Sequence, residues 1–277
     1  MALYFASINS GSNGNCYYVG NDDTAVLIDV GITCKEVEKR MIAMNLNIHK
    51  VAAIFISHEH ADHIKGVSVL AKKYKIPVYI TKKTRRRWIK GIHNLMQDFE
   101  SNQSIWIGDL EIKSFLKFHD AIDPHSFTVS FQDCTIGIFT DIGKVCKQLQ
   151  QHFKLCNAVF LEANYDIEML RNGNYPQYLK DRISGGEGHL SNIEAAELFK
   201  NHQNENLKYV LLSHLSKENN TPEKAVSAFL PFATNTEIKV ASRFAPSEVY
   251  KLENSSNQKS ATKKSVLRKI FQTVLFE

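Results

Sequence analysis

No uninterrupted apolar run in this 277-residue chain is longer than six residues, as at residues 51–56, and a helix that crosses a bilayer needs roughly 20. No membrane-spanning segment is expected. Cysteine is sparse and scattered: Cys16, Cys34, Cys134, Cys146 and Cys156 form no CxxC pair, which argues against a disulfide framework and leaves each as a small buried apolar side chain. Met1-Ala2-Leu3-Tyr4-Phe5 carries no basic group ahead of its apolar stretch, unlike a secretory leader, so the expectation is a cytoplasmic chain with reduced thiols. A repeat at a period of 20 to 50 residues is also missing, and with it the solenoid and propeller architectures.

Charge is present but uneven. Residues 71–90 hold Lys72, Lys73, Lys75, Lys82, Lys83, Arg85, Arg86, Arg87 and Lys90 with no acid, a local +9 in a chain of net +5. Residues 255–277 add +4, so the remainder carries −8. Clustered Lys and Arg supply salt-sensitive attraction for a polyanion, and a solvated helix face accounts for such a cluster about as often. Lys82, Lys83, Arg85, Arg86 and Arg87 are the candidate nucleic-acid contacts. Trp88 beside them is either a core residue or a base-stacking one.

The apolar patterning predicts strands at residues 3–8, 16–19, 25–30, 51–57, 77–80, 104–107, 110–118, 127–131, 135–140, 158–163, 209–213 and 237–241. Helices are expected around Val37 to Met44, at 65–74 and 82–91, broken over 167–179, and at 191–200, where Ser191 and Glu194 form a capping box. Thr221-Pro222-Glu223 opens another, with a Thr cap and Pro at the first position. One body, residues 1–252, is followed by a flexible basic linker over 253–277. Within that tail, Val266, Leu267, Ile270, Phe271, Val274 and Leu275 would line one helical face, docking on this chain or recruiting a protein partner.

The chemistry concentrates in His58-Glu59-His60-Ala61-Asp62-His63, directly after the buried strand at 51–57. Three imidazoles and a carboxylate on a short loop exceed what that loop can pair internally, so they point to an ion; imidazole with carboxylate suits Zn, Mn or Fe. His58 and His60 alternate and can converge on one ion, while Asp62 and His63 can turn toward a second.

This HxHxDH segment resembles the signature of the metallo-β-lactamase superfamily, and Asp29, His119, Asp141 and His214 follow the order of that family's other motifs. The resemblance implies an α/β fold, a four-layer αβ/βα sandwich with a dinuclear metal site at one edge. It implies that His58, His60 and His119 hold one ion, that Asp62, His63 and His214 hold the other, that Asp141 bridges, and that Asp29 orients the ligand loop. His125 is the rival to His119, and Asp141 has the alternative of capping a turn. His49, His93, His152 and His202 read as surface residues.

Asp141 stands where classical β-lactamases of this superfamily use Cys, so antibiotic hydrolysis is not expected. Gly188-His189-Leu190-Ser191-Asn192 is similar to a Gly-His-Ser/Thr segment of the tRNA 3′-processing nucleases, and Glu162 matches the acidic partner of that His. With Ser10-Gly11-Ser12-Asn13-Gly14-Asn15, His119-Asp120-Ala121 and Leu212-Ser213-His214-Leu215-Ser216, the chain resembles the YycJ/WalJ-like branch. Tyr165 departs from it where a His is more usual. This branch implies a cytoplasmic phosphodiesterase, a DNA exonuclease using a metal-activated hydroxide. It further implies two divalent ions (Zn or Mn, with Fe acceptable), a nucleic-acid partner with DNA ahead of RNA, and no membrane. Asp62 would orient the nucleophile, and His189, held by Glu162, would protonate the leaving oxygen. The rivals are a glyoxalase-like ester or thioester hydrolase and a non-enzymatic, metal-stabilised binding module.

Overall fold

A computed structural model of the chain describes residues 1–87 and 91–253. Its strands are β1 (Ala2–Asn9), β2 (Cys16–Gly20), β3 (Ala25–Ile28), β4 (Val51–Phe55), β5 (Val78–Ile80), β6 (Met96–Asp98), β7 (Ser104–Ile107), β8 (Leu110–Leu116), β9 (His125–Phe131), β10 (Cys134–Phe139), β11 (Ala158–Glu162), β12 (Tyr209–Ser213), β13 (Glu237–Val240) and β14 (Tyr250–Glu253). The helices are α1 (Cys34–Ala43), α2 (Ala61–Ile64), α3 (Val67–Tyr74), α4 (Lys82–Arg87), α5 (Lys147–Phe153), α6 (Ile167–Asn172), α7 (Gln177–Ser184), α8 (Asn192–His202) and α9 (Pro222–Phe229).

Two sheets result, ordered β14-β1-β2-β3-β4-β5-β6 and β13-β12-β11-β10-β9-β8-β7. Strands β3 to β6 run parallel, as do β10 to β13. Alternation along single strands builds the layers, because successive side chains point to opposite faces. Val26 and Ile28 join Phe5, Tyr17, Phe127, Ile136 and Phe160 between the sheets. Leu27, between them in sequence, faces the opposite way, onto Val37, Met41 and Leu70 of α1 and α3. On the second sheet Val210 and Leu212 face Phe199 and Phe229 of α8 and α9, while Leu211 faces inward. Strands covered on both faces read as continuous apolar runs, and the stack is the α/β/β/α sandwich.

Four elements differ from the expectation. Ala61, Asp62 and His63 lie on a helical turn, α2, rather than on a loop. β6 has a single buried residue, and α5 has Leu149 and Phe153 as its buried pair in a polar stretch; neither produces a readable period. β14 pairs with β1 from Phe5↔Tyr250 to Ala2↔Glu253, with Leu252 its one buried side chain, so alternation is too short to register. Trp88, Lys90 and the apolar face assigned to residues 266–275 lie outside the described residues. Among the described residues, no helix is long and apolar enough to cross a membrane.

Candidate metal centre and active site

Every candidate ligand but His119 follows a strand that runs parallel to a neighbour, at one edge of the sandwich: Asp29 after β3, the His58–His63 segment after β4, Asp141 after β10 and His214 after β12. His119 arrives on the loop after β8, and Glu162 is the last residue of β11. Three of these positions take left-handed backbone, with φ of 60° at Asp29, 55° at Asp141 and 56° at His214. That conformation costs a non-glycine residue about 1–2 kcal/mol, and it turns the chain sharply enough to aim each side chain along the sheet edge. The turn between β1 and β2 and the loop after β3 then clamp the ligand helix together: Asn15 N–H of the first donates to Asp62 O (2.7 Å) and Val30 N–H of the second to His63 O (2.8 Å). Gly31 allows this approach, since a Cβ there would lie 1.6 Å from Asp62 O.

The histidines are fixed through their outer nitrogens. His63 Nδ1–H donates to Asp29 Oδ2 at 2.7 Å. Ser57 Oγ–H donates to the same oxygen at 2.7 Å, and His58 Nδ1–H to Ser57 Oγ at 2.9 Å. His119 Nδ1–H reaches Gly188 O at 3.0 Å, and His214 Nδ1–H reaches Glu162 Oε1 at 3.0 Å. Each ring is thereby held with Nε2 facing inward, as in histidines that ligate metals.

Potential ligand atoms fall into groups lying within 4.8 Å of one another: His58 with His60 and His119; Asp62 with His63 and His214; Asp141 with His58 and His63; and Asp141 with Glu162, His189 and His214. Nε2 of His58, His119 and His214 is buried with no hydrogen-bond partner, and so is Asp141 Oδ2, although that oxygen lies 3.2 Å from His63 Nε2. Each such orphan costs about 1–3 kcal/mol. Divalent cations would satisfy all of them together, and the nitrogen and oxygen donor set is one such ions accept. His125 stands in β9 outside these groups, its Nδ1–H on Asp123 O at 2.8 Å and its ring 5.4 Å from Phe99.

Electrostatics follow the same geometry. Burial opposes charge on His63, but the carboxylates of Asp141, Asp29 and Asp62 lift it to about 10. His119 lies lower, pushed down to about 4 chiefly by burial. Burial works against ionisation of Glu162, yet His189 and His214 hold its carboxyl down at about 2.

Glu162 is fully buried and takes four donors. Oε1 accepts from His189 Nδ1 (2.8 Å) as well as His214 Nδ1, and Oε2 accepts from Ile142 N (2.6 Å) and Leu190 N (3.3 Å). The His189 ring sits 5.3 Å from that of His119 and 5.1 Å from that of His214, with its side chain 21% exposed. It is thus held between the two halves of the donor cluster and reachable from outside.

The basic segment stands at the rim in a partly neutralised form. Lys83 pairs with Asp123 at 3.1 Å, on the loop that carries His119, and Arg85 pairs with Asp98 at 2.9 Å. Lys82, Arg86 and Arg87 have no acidic partner among the described residues. Tyr165 is buried and bridges to Ser191, and it lines a cavity of about 470 Å³ with Leu170, Arg171 and Lys180.

Several residues at the site carried no assigned role in the sequence reading. Ser57 links Asp29 to His58, and Asn15 Nδ2 lies 3.1 Å from His63 Nε2. Asn164 Nδ2–H donates to His214 O at 2.7 Å. Lys117 is buried and donates from Nζ to Thr140 O at 2.7 Å, next to Asp141; burial lowers its pKa. A serine closing an apolar run and a lysine inside a strand pattern were the available signals.

Comparison with known proteins adds three findings. The pattern of the metallo-beta-lactamase superfamily matches residues 10–143, a span that holds Asp29, the ligand segment, His119 and Asp141. Exodeoxyribonuclease YycJ of Bacillus anthracis is 38% identical over 229 residues, 81% of this chain and 87% of that one. Exodeoxyribonuclease WalJ of Streptococcus pneumoniae is 34% identical over 227 residues, 80% and 84% of the two chains. Among solved structures, the metallo-beta-lactamase fold protein YhfI of Bacillus subtilis superposes with a TM-score of 0.72 over 91% of this chain and 100% of that chain, at 15% identity. That likeness concerns the fold alone.

Proposed function

The chain belongs to the metallo-β-lactamase superfamily, in the branch of the YycJ and WalJ exodeoxyribonucleases, and from this premise we propose that it is a metal-dependent phosphodiesterase that removes nucleotides from DNA ends. The observation that carries the reading is the Glu162–His189 pair, aimed into a cluster of orphaned imidazole nitrogens. His58, His60 and His119 would hold one ion, and Asp62, His63 and His214 a second. Asp141 would bridge them; its Oδ2 lies 3.2 Å from His63, and its Oδ1 3.5 Å from His214 and 3.8 Å from His119. Zinc and manganese are the ions these donors suit best. When bound, such ions supply Lewis acidity, which acidifies water into a nucleophile and offsets phosphate charge.

The protein's own groups do the rest. Glu162 remains anionic and fixes the His189 tautomer by accepting at Nδ1, which leaves Nε2 to carry the proton given to the departing oxygen. Sharing the same oxygen, His214 is oriented by the residue that orients the acid. Asp62, a quarter exposed, is the carboxylate best placed to meet an incoming water. Nothing at the site favours the thioester hydrolase or the binding-only module.

The test combines metal analysis with nuclease assays on 5′- and 3′-labelled single-stranded, duplex and nicked DNA and on RNA. Metal-dependent loss of terminal nucleotides from DNA is the expected result. Thioester hydrolysis with DNA left intact would overturn the reading.

A further inference from the structure

Two exposed aromatic rings, each carrying a cation, stand on the loops after β8 and β13, the strands that flank β9 to β12 in the second sheet. Phe118 precedes His119 in the chain and is 42% exposed, and Lys144 Nζ lies 3.9 Å from its ring centre. Its backbone is pinned to the Asp141 turn, where Gly143 N–H donates to Phe118 O at 2.6 Å. At the other end Phe244 follows β13 and is 75% exposed, with the Arg243 guanidinium 5.9 Å from its ring centre.

The second loop is also held. Asn13 Nδ2–H donates to Arg243 O at 2.9 Å, Arg40 reaches Phe244 O at 3.3 Å, and Phe244 N–H donates to Ser242 Oγ at 3.0 Å. Ser10, from the turn that contacts Arg243, accepts the backbone N–H of the ligand His214 at 2.8 Å. Beside Phe244 lies a cavity of about 290 Å³ that Ser10, Leu215 and Lys217 also line.

The sheet sets the spacing. The Phe118 loop is tied to the end of β10 and the Phe244 loop follows β13, so three strand intervals separate them, roughly 14 Å. The strand ends between them bear Asp141, Glu162 and His214. The cation lies over one face of each ring; the opposite face is one on which any base can stack, and the cation attracts the adjoining phosphate.

We propose that Phe118/Lys144 and Phe244/Arg243 are two base-stacking shelves that grip nucleobases on either side of the scissile phosphate, so that a single, unpaired DNA strand crosses the site from one to the other. This inference rests on the nuclease reading above and adds to it the path and the strandedness of the substrate. Stacking needs an open base face, which a paired and stacked duplex does not present at the cut.

The experiment is an abasic scan. Single-stranded oligodeoxynucleotides, each with one abasic site among the nucleotides around the cleavage point, are cut by the metal-loaded wild-type chain, by Phe118→Ala and by Phe244→Ala. Each variant should raise KM on intact single strands about tenfold. For each variant there should be one abasic position that slows the wild-type chain but slows the variant no further, and the two positions should lie on opposite sides of the cut. Phe118→Leu and Phe244→Leu, which keep apolar volume without the π-face, should repeat the result, and metal content and thermal midpoint check that all four are folded. Variants that cut DNA with the wild-type KM, or that map to the same side of the cut, overturn the shelves while leaving the nuclease reading intact. A wild-type chain that leaves every DNA uncut refutes that reading and the shelves with it.

Discussion

Replacing Glu162 by Gln keeps the shape of the hub and removes its charge. The four donors on this carboxylate come from His189, His214, Ile142 and Leu190. A Gln side chain brings an NH₂ group that must face either the two imidazole N–H groups or the two backbone N–H groups, so one pair of donors meets another donor. In either orientation the imidazoles lose their anionic acceptor, and hydrogen bonds to charged groups are worth about 1.5–3 kcal/mol each. Losing the His189 bond therefore slows the proton-transfer step by a factor of roughly 10 to 150. Losing the His214 bond weakens ion binding by roughly 10 to 100-fold, the usual cost of removing a partner behind a ligand. The two effects separate by metal titration: kcat at saturating metal reports His189 alone, and the metal midpoint reports His214. His189→Ala should lower kcat by about 10² to 10⁴ with little change in the midpoint. Since both substitutions disable one proton donor, the double variant at saturating metal should be no slower than His189→Ala. A kcat equal to wild type for Glu162→Gln, or losses that multiply in the double variant, would refute the shared-hub argument.

Asp29→Asn should reduce metal affinity by roughly 10 to 100-fold in chelator competition, with activity restored by excess metal, because Asp29 holds both His63 and Ser57; an unchanged affinity would count against its orienting role. Adding Zn or Mn to the metal-free chain near pH 8 in weak buffer should release protons. His63, lifted to about 10, is protonated there and must shed that proton when a cation takes Nε2, so metal affinity falls as pH falls; pH-stat titration without proton release would contradict this. Arg86→Ala with Arg87→Ala should reduce the slope of log DNA affinity against log salt by about one to two units, whereas Lys83→Ala and Arg85→Ala, which leave behind Asp123 and Asp98, should not act through lost phosphate contacts alone. Equal slopes for the Arg86/Arg87 variant and wild type would remove that helix face from the DNA path.

The layer order was implied by the family resemblance, whereas the strands themselves were legible from the sequence because of how they are buried. Residues 25–28 and 209–212 read as unbroken apolar runs since each lies between two apolar layers, one face on the facing sheet and the other on helices. Elements with one or two buried residues, such as β6 and β14, left no such trace. The chemistry of the donor segment was legible for a local reason too, since His58 to His63 are neighbours in sequence and cannot avoid being neighbours in space. The helical turn over Ala61–Ile64 was not, because four residues are too few to show a helical period.

The residue types at the strand ends, taken with a family resemblance, thus point to a metal-dependent hydrolase of nucleic acid from the sequence by itself. Only the tertiary structure decided how those residues are wired. The Glu162–His189 pairing was already implied by the resemblance; what the fold adds is that Glu162 also meets His214 across 52 positions and that Ser57 meets Asp29 across 28. These contacts arise from which strands lie side by side and in what register. The folded chain likewise turned a formal +9 into a surface on which Lys83 and Arg85 are already paired, and it set Phe118 and Phe244 on the loops after β8 and β13. The physical reason is common to all of these: a side chain's type is local, but its partner is chosen by sheet order and by backbone turns such as those at Asp29, Asp141 and His214, and those are settled when the two apolar faces pack.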